Sequence, residues 1–482
     1  MNSKLALAAL TLALAGCSLA PAYQRPAAPL PSAWPDQARA LPGERLAHAD
    51  GWQDYFSDPR LQALIAASLE NNRDLRIATA RIAEARAQYG IQQADRLPNF
   101  NLSANRNASL TPAGASAFSP NALHSQRYDV SVGLTAFELD FWGRVASLNA
   151  AAKASYLATE SAQRAFRLSL ISDVANAYLS VLELRERSEL AKSAAEARAE
   201  SRMLASRRRE LGASGDLDYL QVEAAYQAAL AEQANLARQL AAAGNLLDLL
   251  VGRGVTGMND LPAGRPLAAQ DIGTARIADL PAEALLRRPD VVAAEQRLIA
   301  SNANIGAARA AFLPRIALTG SAGTASRTLT GLFDAGSGAW SFQPSITLPL
   351  FDAGRNSANV DLAEARKVIA VAEYEKTLQQ AFREVSDLLS ARARLAEQLA
   401  AQQANATAQA QLLTLVDARY QAGIANRLEL LDAQSASFTS RQNELQLRRT
   451  LLTATAQLYK ALARGADDLS ETETAPRGVA TK

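Results

Sequence analysis

The sequence predicts a mixed α and β membrane protein, internally duplicated, with four strands carried on very long helices. Three observations predict it. First, Arg144 to Leu211 and Arg355 to Ala422 each run 68 residues without glycine or proline, bracketed by Gly143 and Gly212 in one case and by Gly354 and Gly423 in the other. At about 1.5 Å per residue each is a helix on the order of 100 Å long, well beyond an ordinary domain. Second, a shift of 211 positions lays Gly143-Arg144 on Gly354-Arg355 and Ile171, Val174 and Tyr178 on Phe382, Val385 and Leu389. Upstream, a shift of 216 lays Asp74, Ile82, Gly90 and Leu97-Pro98 on Asp290, Leu298, Gly306 and Leu313-Pro314, which predicts a longer loop in the first copy between Pro98 and Gly143. A period of about 210 residues is too long for a solenoid unit, where roughly 20 to 50 is usual, and reads as gene duplication. Third, four short runs alternate apolar and polar residues with period two.

Taken in order, Lys4, the apolar run Leu5 to Ala15 and the small residues that follow make a secretory signal, too short for a membrane span. Leu14-Ala15-Gly16-Cys17 resembles the bacterial lipoprotein cleavage box, so Cys17 is expected to become a lipidated first residue carrying diacylglycerol and an N-acyl chain; the alternative is an ordinary signal with an incidental cysteine. Cys17 is the only cysteine, which excludes a disulfide within the chain. By the same resemblance Ser18 permits delivery to the outer membrane. The expected organisation is a signal peptide at 1–16, a lipidated arm and equatorial segment at 17–58, a first repeat at 59–262, a second at 263–464 and a disordered tail at 465–482.

Each repeat should open with a helix of moderate length, from Asp58-Pro59 to about Arg96 and from Ala282 to Phe312. Period two then sets in. Phe100, Leu102 and Ala104 alternate with Asn99, Asn101 and Ser103, and Tyr128, Val130, Val132 and Leu134 alternate with Asp129, Ser131, Gly133 and Thr135. In the second repeat Ile316, Leu318 and Gly320 are followed by Trp340, Phe342, Ile346 and Leu348. Four such strands fit a membrane β-barrel, with a soluble antiparallel sheet as the alternative. Aromatics at the strand ends, Phe137, Phe141 and Trp142, then Trp340, Phe342 and Phe351, favour the membrane. Four strands cannot close, and an open edge in lipid leaves backbone groups unpaired, so membrane strands predict an oligomer. The returning helices, near Leu217 to Leu250 and Leu428 to Ala463, cover about half the length of the 68-residue segments, and the opening helices can supply the missing half. Every repeat thus contributes one continuous strut and one spliced strut.

Neither enzymatic nor cofactor chemistry finds residues. The only histidines are His48 and His124, and no glycine-rich phosphate loop precedes a helix. Fifty basic and 48 acidic residues are mixed along the chain for a net charge of +2, which gives no footprint for nucleic acid. The one basic run, Arg207-Arg208-Arg209, falls at a helix C-terminus, where cations complement the helix dipole.

A set of motifs spread over the mature chain resembles the TolC family of outer-membrane efflux ducts, in its lipoprotein branch, OprM-like and NodT-type. They are Cys17-Ser18-Leu19-Ala20-Pro21, Gly51-Trp52 with Phe56 and Asp58-Pro59, and Asn72 with Asp74-Leu75. In the second half come Arg288-Pro289-Asp290, Ile305-Gly306-Ala307-Ala308-Arg309, Leu332-Phe333-Asp334-Ala335-Gly336 and Arg419-Tyr420 with Gly423. The resemblance implies a homotrimer with a 12-stranded outer-membrane β-barrel, four strands per chain, continued by a periplasmic α-helical barrel. It also implies an exit duct that passively conducts drugs and other small molecules, with a periplasmic adaptor and an inner-membrane RND-type pump as partners. A duct for type I protein or peptide secretion and a non-conducting structural lipoprotein are the alternatives.

By the same resemblance Leu428, Glu429 and Asp432 form the periplasmic gate, three copies of Asp432 making an anionic ring beside a Leu428 collar. Gln221 occupies the position equivalent to Asp432, so the two hairpins are not expected to contribute equally. Gly212, Ala213, Arg419, Tyr420, Gly423 and Ile424 would be the helix tips that meet the adaptor, with the glycines supplying a left-handed turn.

Overall fold

A computed structural model describes residues 19–29, 31, 51–114, 121–252, 262–273 and 282–462. After a helical turn at Trp52–Tyr55, the first repeat runs α1 (Pro59–Asn71), α2 (Arg73–Ala94), β1 (Phe100–Thr111), β2 (Leu123–Glu138), α3 (Arg144–Glu210) and α4 (Asp216–Val251). The second runs from a 3-10 helix at Ala282–Arg287 through α5 (Pro289–Ala310), β3 (Arg315–Ser326), β4 (Gly338–Thr347), α6 (Arg355–Gln421) and α7 (Arg427–Ala461). Both long helices have 67 residues and begin after a glycine at positive φ, Gly143 or Gly354. The signal peptide, Cys17 and the C-terminal tail lie outside the described residues, as does much of the arm at 17–58. No described helix is long and apolar enough to cross a membrane. The described residues separate into two compact units, one holding those up to Ala27 with Arg81–Thr159 and Ala293–Tyr374, the other holding the rest.

The first unit contains the sheet, antiparallel in the order β1-β2-β3-β4. Its register puts most of the large apolar strand residues on one face: Phe100 pairs with Leu134, Leu102 with Val132 and Ala104 with Val130, while Ile316 pairs with Ile346 and Ala322 with Trp340. The other face carries Asn101, Ser103, Asn105 and Ser131 from the first hairpin and Ser321, Ser341 and Gln343 from the second. The apolar face is bare in the single chain, with Leu102 75% and Trp340 81% exposed. That is a membrane face, because a soluble sheet would cover it. The expected longer loop proves to be a longer strand: β2 has 16 residues against 10 in β4, and the connections that follow β1 and β3 are equally long. Part of the excess is a bulge between Leu134 and Phe137, with Ala136 at φ 45°.

The chain's early segment is strapped to α5 in the same unit. Arg25 holds Glu295 in a bidentate pair at 2.7 and 2.8 Å, the Tyr23 hydroxyl donates to Glu295 at 3.0 Å, and Asn302 Nδ2 donates to the Pro21 carbonyl at 2.7 Å. Gly306 makes room for it: a Cβ there would sit 2.7 Å from both Ala20 Cβ and Ser147 Oγ.

The second unit holds the main core. Tyr55, Phe56 and Tyr459 form an aromatic cluster with ring centroids 5.1 to 5.8 Å apart, joined by Leu61, Leu64 and Ile65 of α1 and by Ile171, Val174 and Leu179 of α3. Asp58 ties this region together. It caps α1 by accepting from Arg60 N at 2.9 Å, and accepts further from Tyr178 Oη at 2.9 Å, Arg265 N at 3.1 Å and Gln270 Nε2 at 2.5 Å. Burial pushes its carboxyl up, but these four donors outweigh burial and hold it below the usual carboxylate range.

Both opening helices are broken where the sequence predicts continuity. Asn72 leaves the helical region at ψ 129° because its side chain serves two masters: Oδ1 caps α2 at Leu75 N, 2.9 Å, and Nδ2 donates to the Leu250 carbonyl at 2.9 Å. Pro289 breaks the second, and buried Arg288 donates to the Ala461 carbonyl at 2.6 Å while pairing with Asp290 and Glu384. Residues 72 and 288 are equivalent under the 216 shift, and 250 and 461 under the 211 shift. Each returning helix therefore ends on the break in its own repeat's opening helix, which is the predicted splice.

Two outcomes are expected. Val132→Arg, on the apolar face, destabilises membrane insertion by about 2–4 kcal/mol and sharply lowers the amount of protein assembled in outer-membrane fractions, whereas Ser131→Arg on the polar face leaves it near normal. Because its folded pKa is depressed, Asp58 stabilises the fold above its unfolded pKa of about 3.9, and that contribution is lost as pH falls through the folded value. Asp58→Ala, which orphans buried donors, should cost about 2–4 kcal/mol at pH 7 in urea unfolding followed by far-ultraviolet circular dichroism, with the deficit shrinking towards pH 3.

Candidate functional site

The predicted gate and tip residues fall at the ends of the two helical hairpins, while Cys17 lies outside the described residues. Each hairpin turns through one left-handed glycine, Gly212 at φ 71° and Gly423 at φ 74°. The following amide reaches back over the last helical turn, Ala213 N to Arg208 O at 2.8 Å and Ile424 N to Arg419 O at 2.9 Å, the bond pattern of a Schellman cap. Gly212, Ala213, Arg419, Gly423 and Ile424 are all exposed. So are the apolar side chains at the turns, Leu211 at 83% and Ile424 at 71%.

Past the turn the hairpins differ. In the second, Asn426 caps α7 through Glu429 N at 2.8 Å, Arg419 Nη1 donates to Glu429 Oε1 at 3.0 Å, and Arg427 lies over the Tyr420 ring while donating to its hydroxyl at 2.9 Å. In the first, Gly215 offers no side-chain cap, Arg209 pairs with Asp216 at 2.6 Å, and Asp218 accepts from Ser214. Arginines thus bridge both turns, Arg209 in the first and Arg419 and Arg427 in the second, and Glu429 is engaged in the second bridge.

Leu428 and Asp432 stand one turn apart on α7 and face away from it. Leu430 and Ala433 are buried against Val416, with Leu413 and Tyr420 beside them, and this contact fixes the helix rotation that leaves Leu428 54% exposed and Asp432 exposed. Asp432 has no ion pair or hydrogen-bond partner among the described residues, in contrast to Glu429 and to Asp417, which accepts from Gln421 at 2.7 Å. Its counterpart Gln221 is half-buried. The Asn426 cap went unpredicted, although Asn426 with Glu429 three residues on could have signalled it, and so did the Arg419–Glu429 and Arg427–Tyr420 contacts across the turn, which carry no local signal. Among the described residues no group of three or more His, Cys, Asp or Glu is placed to hold a metal ion.

A sheet with one bare apolar face, joined to helical hairpins of this length with an exposed acid near the end of one, defines a channel subunit that combines membrane strands with a helical tunnel wall. The family model for outer membrane efflux proteins matches the chain twice, at residues 64–253 and 280–464, and the chain belongs to that family of outer-membrane channels. It is similar to the outer membrane protein OprJ of Pseudomonas aeruginosa, 43% identical over 461 residues that cover 95% of both chains. It is also similar to the solvent efflux pump outer membrane protein SrpC of Pseudomonas putida, 43% identical over 94% of this chain and 96% of the relative. The open-state outer membrane channel MtrE of Neisseria gonorrhoeae has the same fold, with TM-score 0.81 and 37% identity over 93% of this chain and 99% of the other. The protein is an outer-membrane efflux channel, and its family is one of channels rather than enzymes.

The left-handed turn gives one direct expectation. Gly423→Ala meets no atom within 4 Å yet must hold φ near 74°, which costs about 1 kcal/mol. Amide exchange across residues 419–430 should then speed by about fivefold, while Gly423→Asn, which tolerates that region, changes it far less.

Proposed function

We propose that three chains close one 12-stranded barrel in the outer membrane and one helical tunnel in the periplasm, and that the assembly is the passive exit duct of a tripartite multidrug efflux system. The single observation that carries the gate is the exposed Leu428–Asp432 face near the end of α7, where Asp432 stands unpaired beside acids that are engaged. Three-fold symmetry would bring three Asp432 carboxylates into a ring with Leu428 as an apolar collar, and a narrow opening so lined closes by charge and by dewetting. Glu429 positions the hairpin through Arg419 and adds negative charge at the same level.

The exposed tips around Gly212, Ala213, Arg419, Tyr420, Gly423 and Ile424 are the surface offered to a periplasmic adaptor, which couples the duct to an inner-membrane RND-type pump. The energy for transport comes from that pump. Names of relatives that include solvent efflux and antibiotic efflux support small apolar and amphipathic molecules as cargo. Cys17 anchors the chain to the outer membrane through its lipid, and the repeats span 59–262 and 263–464.

The test is a strain lacking the gene, complemented with wild type or variants. Wild type should restore resistance to antibiotics and dyes. Asp432→Ala and Leu428→Ala should raise planar-bilayer conductance several-fold and admit vancomycin, too large for an intact outer membrane. Unchanged susceptibility on deletion, with no leak through either variant, would sink the duct and gate together.

A further inference from the structure

Between α3, α6 and α7 of the second unit lies an open-sided cavity of about 570 Å³, within the size range of small-molecule sites. Its walls are mostly apolar, with Leu190 and Ala194 of α3, Ala410 and Leu413 of α6 and Phe438 of α7; Gln434 and Arg441 add polar groups from α7, and Arg198 lines it from α3. Arg198 is half-buried and, among the described residues, donates to two neutral acceptors, the Ala225 carbonyl at 2.9 Å and Ser435 Oγ at 3.2 Å. Burial lowers its pKa, and among the described residues no acid pairs with it to oppose that.

Three other arginines on this stretch of α3 and α7 are paired with acids. Arg441 meets Glu444 at 2.5 Å, Arg448 meets Glu444 at 2.9 Å, and Arg187 meets Glu183 at 2.8 Å. A partly desolvated cation without a counter-ion beside an apolar void is a standing electrostatic debt that an anion with an apolar body would settle. The remaining guanidinium N–H groups suit the planar two-oxygen geometry of a carboxylate.

The cavity sits behind the proposed gate. Its α7 residues Gln434, Ser437, Phe438 and Arg441 lie about 120–180° around the helix from Asp432. Opening a ring of Asp432 side chains requires α7 to withdraw from the ring, towards the space at its back. A filled cavity resists that compression, since packed interiors yield little volume.

We infer that this cavity binds a small amphipathic carboxylate, with its head on Arg198 and its apolar body against Phe438, Leu190 and Leu413, and that occupancy holds the gate closed. The second half rests on the gate reading of Asp432. The probe is 4-benzoylbenzoate, a photoreactive aromatic carboxylate, applied to the full-length protein in a non-ionic detergent and mapped by peptide mass spectrometry. Label should fall on the segments around Leu190 to Arg198 and Phe438. Arg198→Gln should reduce it by about tenfold, Arg198→Lys should retain most of it, and the uncharged methyl ester should label wild type and Arg198→Gln alike. In bilayers the same carboxylate should lower the conductance of Asp432→Ala pores and leave Asp432→Ala/Arg198→Gln pores unaffected.

Absence of label from these segments in wild type, or equal carboxylate labelling of Arg198→Gln, overturns the site; Ala410→Leu, which fills the void and leaves Arg198 intact, should abolish the label independently. Labelling with no effect on conducting Asp432→Ala pores overturns the closing role. If Asp432→Ala conducts no better than wild type, the gate reading and the closing role fall, and the labelling still decides the binding site by itself.

Discussion

In hydrocarbon there is no water to satisfy a backbone amide, and this constraint governs the whole chain. The four-stranded sheet has a bare apolar face that calls for lipid, yet β1 and β4 are edges with no strand beyond them among the described residues. Each edge would leave a row of N–H and C=O groups unpaired in the bilayer. Pairing β4 of one chain with β1 of the next removes both edges, and the proposed trimer is the closure that does so with four strands per chain. The polar face, with its Asn, Ser and Gln rows, then lines a lumen, so one alternating pattern specifies both the lipid contact and the water path.

Duplication solves a length problem in the helices. A returning helix of 36 or 35 residues cannot match a partner of 67, and in both repeats its end is met at a break in the opening helix. Evolution has kept the position and changed the chemistry: a neutral amide, Asn72, holds the Leu250 carbonyl, and a buried guanidinium, Arg288, holds the Ala461 carbonyl. The cation is tolerated because Asp290 and Glu384 surround it; burial pushes the Asp290 carboxyl up, but its pairing with Arg288 outweighs burial and holds it low. The same freedom of chemistry under fixed geometry appears at the hairpin ends, where Asp432 and Gln221 share a position and only the former is charged. Pseudo-symmetry sets where the groups stand, and divergence sets what charge they carry.

Much of this was legible from residue order because it is local. Glycines at 143, 212, 354 and 423 bound the long helices to within a residue, since a helix 67 residues long must begin and end where the backbone departs from it. Period-two runs located all four strands and their two faces. Most of the misses are tertiary. Asn72 looks like an ordinary helix residue until Leu250, distant in sequence, supplies its partner, and the β2 excess reads as loop because a bulge has no period. The strap of Tyr23 and Arg25 on Glu295 joins residues more than 250 positions apart, and Glu429, expected in the gate beside Asp432, is held by Arg419 across the turn. Exposed, unpaired Asp432 could be named only through the family resemblance, because a lone helical acid carries no local signal of its role.

Closure of the sheet by neighbouring chains is the claim on which the rest stands, and disulfide trapping tests it most directly. Ser103→Cys on β1, combined in turn with Ser341→Cys, Gln343→Cys or Ser345→Cys on β4, places thiols on the polar face of the two edges. Within one chain the two strands are three strand spacings apart, about 14 Å, beyond the roughly 7 Å Cα limit of a disulfide. Oxidation in intact outer membranes should therefore give, in at least one register, a ladder of linked chains that ends at three. No linkage in any register, or a ladder that runs past three, would contradict a closed trimeric barrel.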